Sequence, residues 1–146
     1  MPPPVADAGE LIHVACEIGD AAVEMMVDTG AQSSVISMPL ARRLGLAGRL
    51  DSSRQGVASG VGTARILGSL RAVPVKLGHV EFSLDFTVLG VDEQMLMLGI
   101  DQMRRFRCVV DLERDRLVFG GSGGVEVPFL PAPARPALLP YRCPQM

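Results

Sequence analysis

The stretch VEMMVDTGA at residues 23–31 joins a strand-like apolar run to a single carboxylate and a turn of small residues. Asp28 directly follows the apolar run, and Thr29, Gly30 and Ala31 come next. Asp-Gly and Thr-Gly pairs are common in ordinary turns, so a plain strand-to-turn junction is one interpretation. An acid, then a hydroxyl, then a residue without a side chain is also what acid-base catalysis needs at a strand end. The rest of the chain has to decide between the two.

Length and composition favour one small β-rich domain. The 146 residues suffice for a single domain with a real core but not comfortably for two. Hydrophobic residues make up 48% of the chain and Trp is absent, so the core must be aliphatic. The 16 glycines and 11 prolines predict many turns, as in an all-β domain. A net charge of -2 gives no electrostatic reason to expect a nucleic acid or an anionic membrane as partner.

The cysteines and the chain ends predict a cytoplasmic location. The three cysteines, at positions 16, 108 and 143, are scattered and form no disulfide framework or zinc-binding spacing, which favours a reducing compartment. The first residues lack the basic and apolar regions of a signal peptide, and no apolar run is long enough to span a bilayer. Because both ends are rich in proline, we expect a domain taken from a longer protein. The predicted organisation is a flexible lead (1–10), a folded domain (11–130) and a Pro-rich tail (131–146).

Alternating apolar residues predict most of the strands. Residues 12–18 and 21–27 form a predicted hairpin whose second arm ends at Asp28, and residues 80–88 give the clearest period-two pattern. The apolar run 95–99 predicts a strand buried on both faces. Later segments predict a hairpin of residues 108–112 with 117–119, and one more strand at 125–130.

Two short helices are predicted between these strands. Ser37 is suited to cap the first, with Leu40 and Leu44 on one of its faces. Asp101 is predicted to cap the second, over residues 102–107. Each helix follows a strand, one ending at Asp28 and the other at residue 99, which is a weak internal duplication with the acid in one copy only.

A glycine-rich hairpin is predicted around residues 56–68. Its tip consists of Ser59, Gly60, Val61, Gly62 and Thr63. Such a tip is mobile and lets a ligand approach its backbone, although an ordinary turn would have the same composition. A phosphate-binding loop would need a lysine after the glycines and a helix opening there, and neither follows.

Hydrolysis of an amide by carboxylates needs two of them facing one water. One acts as general base on that water, and the other, protonated, polarises the scissile carbonyl. The chain has one Asp-Thr-Gly, and its other aspartates lack such a setting. The simplest source of the second acid is a second copy of the chain, with the two Asp28 side chains meeting on a two-fold axis.

Four stretches resemble, in order and at matching spacing, the retropepsin-like domain of the DNA-damage-inducible (Ddi) ubiquitin-shuttle proteins. They are DTGAQSSVIS (28–37), GVGT (60–63), LGIDQMRR (98–105) and VVDL (109–112). The resemblance implies an all-β fold with two short helices, the retropepsin-like single-lobe aspartic protease fold, closed by homodimerisation over an extended peptide. It implies that Asp28 is catalytic, that residues 29–31 support it and that residues 59–63 form the flap tip. No metal or organic cofactor is implied.

The chain departs from viral retropepsins at two coupled positions. Those proteins carry a second acid soon after Asp-Thr-Gly-Ala and an Arg after the later Gly, and the two pair to brace the dimer. Here the positions hold Gln32 and Ile100. The dimer must then be held otherwise, and residues 125–130 are our candidate for strands that interleave between subunits.

The resemblance leads us to expect an aspartic endopeptidase that acts on ubiquitinated or proteasome-linked proteins. Ubiquitin conjugates and the proteasome would be reached through modules outside this chain. Two alternatives stay open. One is a catalytically weak dimeric module that binds peptides or ubiquitin conjugates, and the other is a structural dimerisation domain that binds no peptide.

Overall fold

Two hairpins and a strand from late in the chain organise the fold. The computed structural model describes residues 11–53, 55–60 and 62–131, and at 58–60 and 62–63 it describes only the backbone. The strands are β1 (Ile12–Ile18), β2 (Ala21–Val27), β3 (Val35–Ser37), β4 (Gly56–Gly60), β5 (Gly62–Leu77), β6 (Val80–Leu89), β7 (Leu96–Leu98), β8 (Val109–Asp111), β9 (Arg116–Phe119) and β10 (Val125–Pro128). The helices are α1 (Met38–Arg43) and α2 (Ile100–Arg105), with a 3-10 turn at Ala47–Arg49.

The larger sheet has the strand order β1-β2-β7-β3-β6-β5-β4. An additional pairing of Glu17 on β1 with Lys76 on β5 closes six of these strands into a barrel. The sixteen-residue β5 first pairs with β4 and then with β6, so its early part carries the β4–β5 hairpin away from the barrel. A mostly β architecture with two short helices, as the sequence predicts, is confirmed.

β7 lies between β2 and β3. It runs parallel to β2, with Val27 opposite Leu98, and antiparallel to β3, with Val35 opposite Met97. The first hairpin of the chain is therefore completed by a strand that comes about seventy residues later. This insertion sets the position of the Asp-Thr-Gly turn, because that turn leaves β2 where β7 ends.

The core is aliphatic, as the composition predicts. Its largest fully buried side chains include Met25, Ile36, Leu70, Leu84 and Leu98. The aromatic contribution is a cluster of Phe82, Phe106 and Phe119, with ring centroids 4.9–5.7 Å apart.

A β-bulge interrupts the pairing of β5 with β6 between Leu70 and Val73. Ala72 lies in the bulge with a φ of 54°, which is unusual for a residue with a side chain. Its backbone N–H donates to Asp85 Oδ1 at 2.8 Å. The guanidinium of Arg49 donates to the carbonyls of Arg71 and Ala72 at 2.8 and 3.2 Å, so side chains satisfy the exposed backbone of the bulge.

The smaller sheet has the order β10-β9-β8. β10 pairs with β9 of the same chain, and Phe129 after it bridges to Val14 on β1. The segment 125–130, our candidate for interleaving strands, is thus engaged within its own chain. The outer strand on the other side is β8, and within the described residues its outer edge carries no strand partner.

The start of α2 differs from the sequence prediction, whereas Ser37 is the N-cap residue of α1 as predicted but makes no side-chain capping bond. α2 begins at Ile100 and its N-cap is Gly99, so Asp101 lies in the first turn instead of capping the helix. The reason is that the Asp101 carboxylate bonds across to another segment, as described below. Ser37 does precede α1, but its Oγ accepts from Met95 N at 2.9 Å and makes no capping bond.

Some sequence predictions fall outside the part of the chain that the structure describes. These are the lead at 1–10, the tail beyond residue 131 and Val61 of the flap tip. Among the helices of the described part, none has the length and apolar character needed to cross a bilayer.

Candidate active site

Asp28 sits where β2 leaves the sheet. Its backbone N–H donates to Leu98 O at 3.0 Å, which continues the β2–β7 ladder by one bond beyond Val27. The residue is half-buried, whereas Thr29 and Gly30 are exposed. The apolar residues of β2 therefore deliver one carboxylate to the surface at the end of a buried strand, as the sequence predicts.

The Asp-Thr-Gly turn folds back on its own acid. Gly30 N donates to Asp28 Oδ1 at 2.9 Å, and Ala31 N donates to Asp28 O at 3.1 Å. A β-carbon on Gly30 would lie 3.3 Å from Asp28 Oδ1, so glycine is the residue that allows this approach without displacing the carboxylate. The described residues supply no hydrogen bond to Asp28 Oδ2, which leaves that oxygen available.

The segment that follows, residues 28–34, is fixed to the end of β7 and the start of α2. Ile100 N donates to Ala31 O at 2.8 Å. A β-carbon on Gly99 would lie 2.6 Å from Ser33 O and 2.9 Å from Ala31 O, so two backbones are in direct contact here. This close packing fixes the Asp28 turn against a rigid part of the sheet.

A polar network joins the same two segments. Asp101 Oδ1 accepts from Ser34 N at 2.9 Å and from Ser34 Oγ at 2.7 Å. Ser34 Oγ in turn accepts from Gly99 N at 2.8 Å, and Ser34 is fully buried. Sequence reasoning missed Ser34 and Gly99 and gave Asp101 a capping role, because a contact across 67 residues leaves no local pattern. The available signal in the sequence was only that Ser34 directly precedes the apolar pair Val35 and Ile36.

The predicted glycine-rich tip is a β-hairpin. Ser59 pairs with Thr63 and Gly60 with Gly62 across β4 and β5. Val57, on the outgoing strand, has 66% of its surface exposed. The hairpin itself is confirmed, whereas its role as a flap over substrate stays a prediction.

The other aspartates with described bonds are used in structural contacts. Asp85 pairs with Arg105 on α2 at 3.3 Å. A hydrogen bond from Arg114 N, followed by one from the Arg114 side chain, lowers the pKa of Asp111 in the β8–β9 turn. Within the described residues, the Asp28 side chain accepts only from Gly30 N. The described part of the chain therefore brings together one acid and its supporting turn, and not a second acid.

Thiol and metal chemistry have no centre in the described residues. Burial raises the pKa of Cys16 to about 12, with a smaller contribution from the charge of Glu17, and burial alone raises that of Cys108 to about 12. Neither is a nucleophilic thiolate near neutral pH. No group of three or more His, Cys, Asp or Glu side chains in the described ranges could hold a metal ion.

The mostly β fold and the Asp-Thr-Gly turn can now be compared with those of known proteins. A sequence profile of the family described as aspartyl protease matches residues 3–111, about three quarters of the chain. The chain belongs to the aspartyl protease family, and its fold is that of the retropepsin-like members. Within that family it groups with the DNA-damage-inducible (Ddi) proteins, as the relatives below show.

One similar solved structure is that of the retroviral protease-like domain of Ddi1 from Leishmania major. The TM-score is 0.74 at 34% identity, and the match covers 83% of this chain and 94% of that one. The sequence is 36% identical over 120 residues to Protein DNA-DAMAGE INDUCIBLE 1 of Arabidopsis thaliana, covering 82% of this chain and 29% of that protein. It is 38% identical over 129 residues to the UBA domain-containing protein Mud1 of Schizosaccharomyces pombe, covering 88% of this chain and 38% of that protein. The chain thus spans less than two fifths of the length of these two relatives.

Proposed function

We propose that this domain is an aspartic endopeptidase that works as a homodimer. Peptide bonds are hydrolysed by a water activated between two Asp28 carboxylates, one from each subunit. The observation that carries the proposal is the Asp28 turn, where a half-buried carboxylate with a free Oδ2 sits on an exposed turn that packs against β7. Because no second acid meets it in the described chain, the partner acid comes from a second copy.

The two carboxylates divide the work of catalysis. One, ionised, takes a proton from the attacking water, and the other, protonated, donates a hydrogen bond to the scissile carbonyl oxygen. The tetrahedral intermediate collapses with proton transfer to the leaving amine. Gly30 N holds Asp28 Oδ1, which leaves Oδ2 to face water and substrate.

The substrate is an extended peptide that lies under the β4–β5 hairpins of the two subunits. Extended peptides bind by backbone pairing to strand edges, and β4 is the outer strand of the larger sheet. Ubiquitinated or proteasome-linked proteins in the cytoplasm are the proposed substrates. Supporting this, one relative is described as a UBA domain-containing protein, so modules outside this chain would bring such substrates to it.

The dimer is braced through β8. This outer strand of the smaller sheet carries Val109, which is 39% exposed, and is followed by Leu112, which is 68% exposed. An open strand edge beside exposed apolar side chains is a template for pairing with another chain. β10 pairs with β9 on one side, and Phe129 directly after it bridges to Val14 on β1, whereas β8 pairs with β9 only, so β8 replaces residues 125–130 as our proposed dimer strand.

A subunit-mixing experiment with Asp28→Asn tests both parts of the proposal. The variant keeps the shape of the side chain but cannot act as a base, so its kcat falls by at least about 1000-fold while the dimer persists. Mixed in equal amounts with the wild type and allowed to exchange, it leaves about a quarter of the dimers with two intact acids. Activity therefore falls to about a quarter of that of the same total concentration of wild type.

The other outcomes separate the alternatives. Activity at about a half would mean that each subunit acts alone, which contradicts the shared site. A wild type that binds extended peptides but cleaves none, with Asp28→Asn binding equally well, would favour the peptide-binding module. A dimer that neither binds nor cleaves would leave the structural dimerisation domain.

A further inference from the structure

The Asp101 carboxylate, on α2, bonds directly to the segment that carries Asp28. Its Oδ1 accepts three hydrogen bonds, from Ser34 N at 2.9 Å, Ser34 Oγ at 2.7 Å and Gln102 N at 2.7 Å. Three donors on one oxygen make this acceptor the centre of the contact. The bonds join α2 to the end of the segment 28–34, six residues after Asp28.

The contact closes on itself through Ser34. The hydroxyl of Ser34 donates to Asp101 Oδ1 and accepts from Gly99 N at 2.8 Å. Ser34 has no exposed surface, so its N–H and hydroxyl have no water to replace a lost partner. The position of Ser34 is therefore set by the Asp101 carboxylate.

The segment 28–34 is held mainly by backbone contacts and by one side-chain contact, that of Ser34 with Asp101. Its residues Thr29, Gly30, Gln32 and Ser33 are all exposed. Its bonds to the rest of the fold include Asp28 N to Leu98 O at one end and Ile100 N to Ala31 O in the middle. At the other end are the contacts of Ser34 with Asp101 and Gly99, and Thr87 N to Ser34 O. The Asp101 contact is the one side-chain anchor of the segment to α2.

We propose that Asp101 is a positioning residue of the active site, which sets the segment 28–34 and through it the direction of the Asp28 carboxylate. The proposal rests on the function proposed above. A misplacement of a catalytic group by about 1 Å can lower the rate by about 100-fold, so a distant acceptor that sets a segment influences turnover more than substrate binding.

Two substitutions at Asp101 distinguish the effect of losing the hydrogen-bond acceptor from the effect of changing the side-chain volume. Asp101→Asn keeps an oxygen acceptor for the three donors, whereas Asp101→Leu keeps a similar size without an acceptor. Asp101 lines a cleft of about 410 Å³ beside β5, β6 and α2, which gives the leucine branches room. We expect Asp101→Leu to lower kcat by about 10-fold to 100-fold with KM changed less than about threefold, and Asp101→Asn to retain kcat within about threefold.

Asp85→Leu is the matched control for general destabilisation. Asp85 also accepts a backbone N–H, from Ala72 at 2.8 Å, and pairs with Arg105, but it makes none of the described bonds to residues 28–34. We expect its kcat to stay within about threefold of the wild type. An equal loss of kcat in Asp85→Leu and Asp101→Leu, or an equal loss in Asp101→Asn and Asp101→Leu, would overturn the proposal.

Amide hydrogen exchange tests the proposal without any cleavage. In Asp101→Leu the amides of Gly30 and Ala31, which bond within the Asp28 turn, should exchange at least about tenfold faster, with those of the β1–β2 hairpin unchanged. Unchanged exchange at these two amides would overturn the positioning role, and if the wild type cleaves no peptide, the proposed function fails while this measurement still decides. If Asp101→Leu does not fold, Ser34→Ala, which keeps the backbone bond to Asp101, should show the same local increase, and its absence would contradict the proposal.

Discussion

At Gly99 two backbones meet with no room for a β-carbon. The carbonyl oxygens of Ser33 and Ala31 would lie 2.6 and 2.9 Å from it, and neither belongs to a flexible side chain. A larger residue must therefore push β7 and the Asp28 segment apart. Gly99 therefore couples the position of β7 to the position of the Asp28 carboxylate.

Gly99→Ala should therefore destabilise the fold and lower activity together. We expect a loss of about 2 kcal/mol in the free energy of unfolding, measured by denaturant titration, because the clash is with backbone. Gly48→Ala is the control, since a β-carbon there has nothing within 4 Å. Its effect should stay within about 0.5 kcal/mol, and equal losses in the two variants would contradict the steric explanation.

Cys16 makes stability depend on alkaline pH. Burial, with a smaller contribution from Glu17, raises its pKa from 9.0 to about 12 in the folded state. Since the unfolded thiol ionises first, this contribution to stability is complete below about pH 9 and is lost as the pH rises towards 12. Between about pH 8 and about pH 10.5 the wild type should lose about 2 kcal/mol more than Cys16→Ala, compared by denaturant titration. Parallel pH profiles for the two proteins would disprove it.

At the scale of single residues, the sequence predicts the position of Asp28 at the end of a strand, but it does not predict the contacts of Asp101. Asp28 belongs to a local pattern in which an apolar strand, an acid and a glycine follow one another. The partners of Asp101 are 67 residues away, so nothing near it in the sequence marks it as more than a helix cap. Contacts that form only in the tertiary structure leave no periodic pattern in the sequence.

Strand β5 belongs to two parts of the fold. Its later half belongs to the barrel, and its first residues form the hairpin with β4. The bulge near Ala72 lies within the later part, where it shifts the pairing with β6 between Leu70 and Val73, and it is held by Arg49 and Asp85. Ala72 adopts a φ of 54°, which costs a residue with a β-carbon about 1 kcal/mol or more.

Ala72→Gly should therefore stabilise the domain. Relief of the left-handed backbone exceeds the added entropy of glycine in the unfolded chain, so the expected gain is about 0.5 kcal/mol in thermal or denaturant unfolding. Ala22→Gly on β2 is the control. It is exposed and has ordinary strand geometry, so it should lose about 0.5 to 1 kcal/mol. Changes of the same sign in both variants would refute the strain at Ala72.

Among the elements, sequence period predicts strands better than it predicts their partners. The β1–β2 hairpin and β6 follow clean alternation, and both are observed. The strand at 125–130 is present as β10, but alternation could not tell that β9 would bind it and leave β8 outermost. Which edge stays open depends on the order of the sheet, and that order is a long-range property.

For the whole molecule, the open edge of β8 predicts the effect of a charge there. Leu112→Lys should raise the dimer dissociation constant at least about tenfold, because an exposed leucine becomes a buried ammonium in the interface. The folded subunit should keep its stability, since Leu112 is 68% exposed within the chain. Analytical ultracentrifugation measures the first effect and thermal unfolding of the monomer the second.

Val57→Lys is the control for that experiment. Val57 has a similar exposure, 66%, but lies on β4 in the other sheet. Its dimer should dissociate as the wild type does. If Val57→Lys weakens the dimer as much as Leu112→Lys, or if Leu112→Lys has no effect, β8 is not the brace.

The insertion of β7 between β2 and β3 also has a consequence for synthesis. In synthesis the Asp-Thr-Gly turn is made about seventy residues before the strand that supports it, Leu96–Leu98. Until β7 is made, β2 and β3 lack the strand that lies between them. In the complete sheet these two strands are about 10 Å apart. A nascent chain or a fragment that ends before residue 96 therefore contains Asp28 but not β7, the strand that supports its turn. The proposed proteolytic activity therefore requires that the domain be translated at least as far as β7.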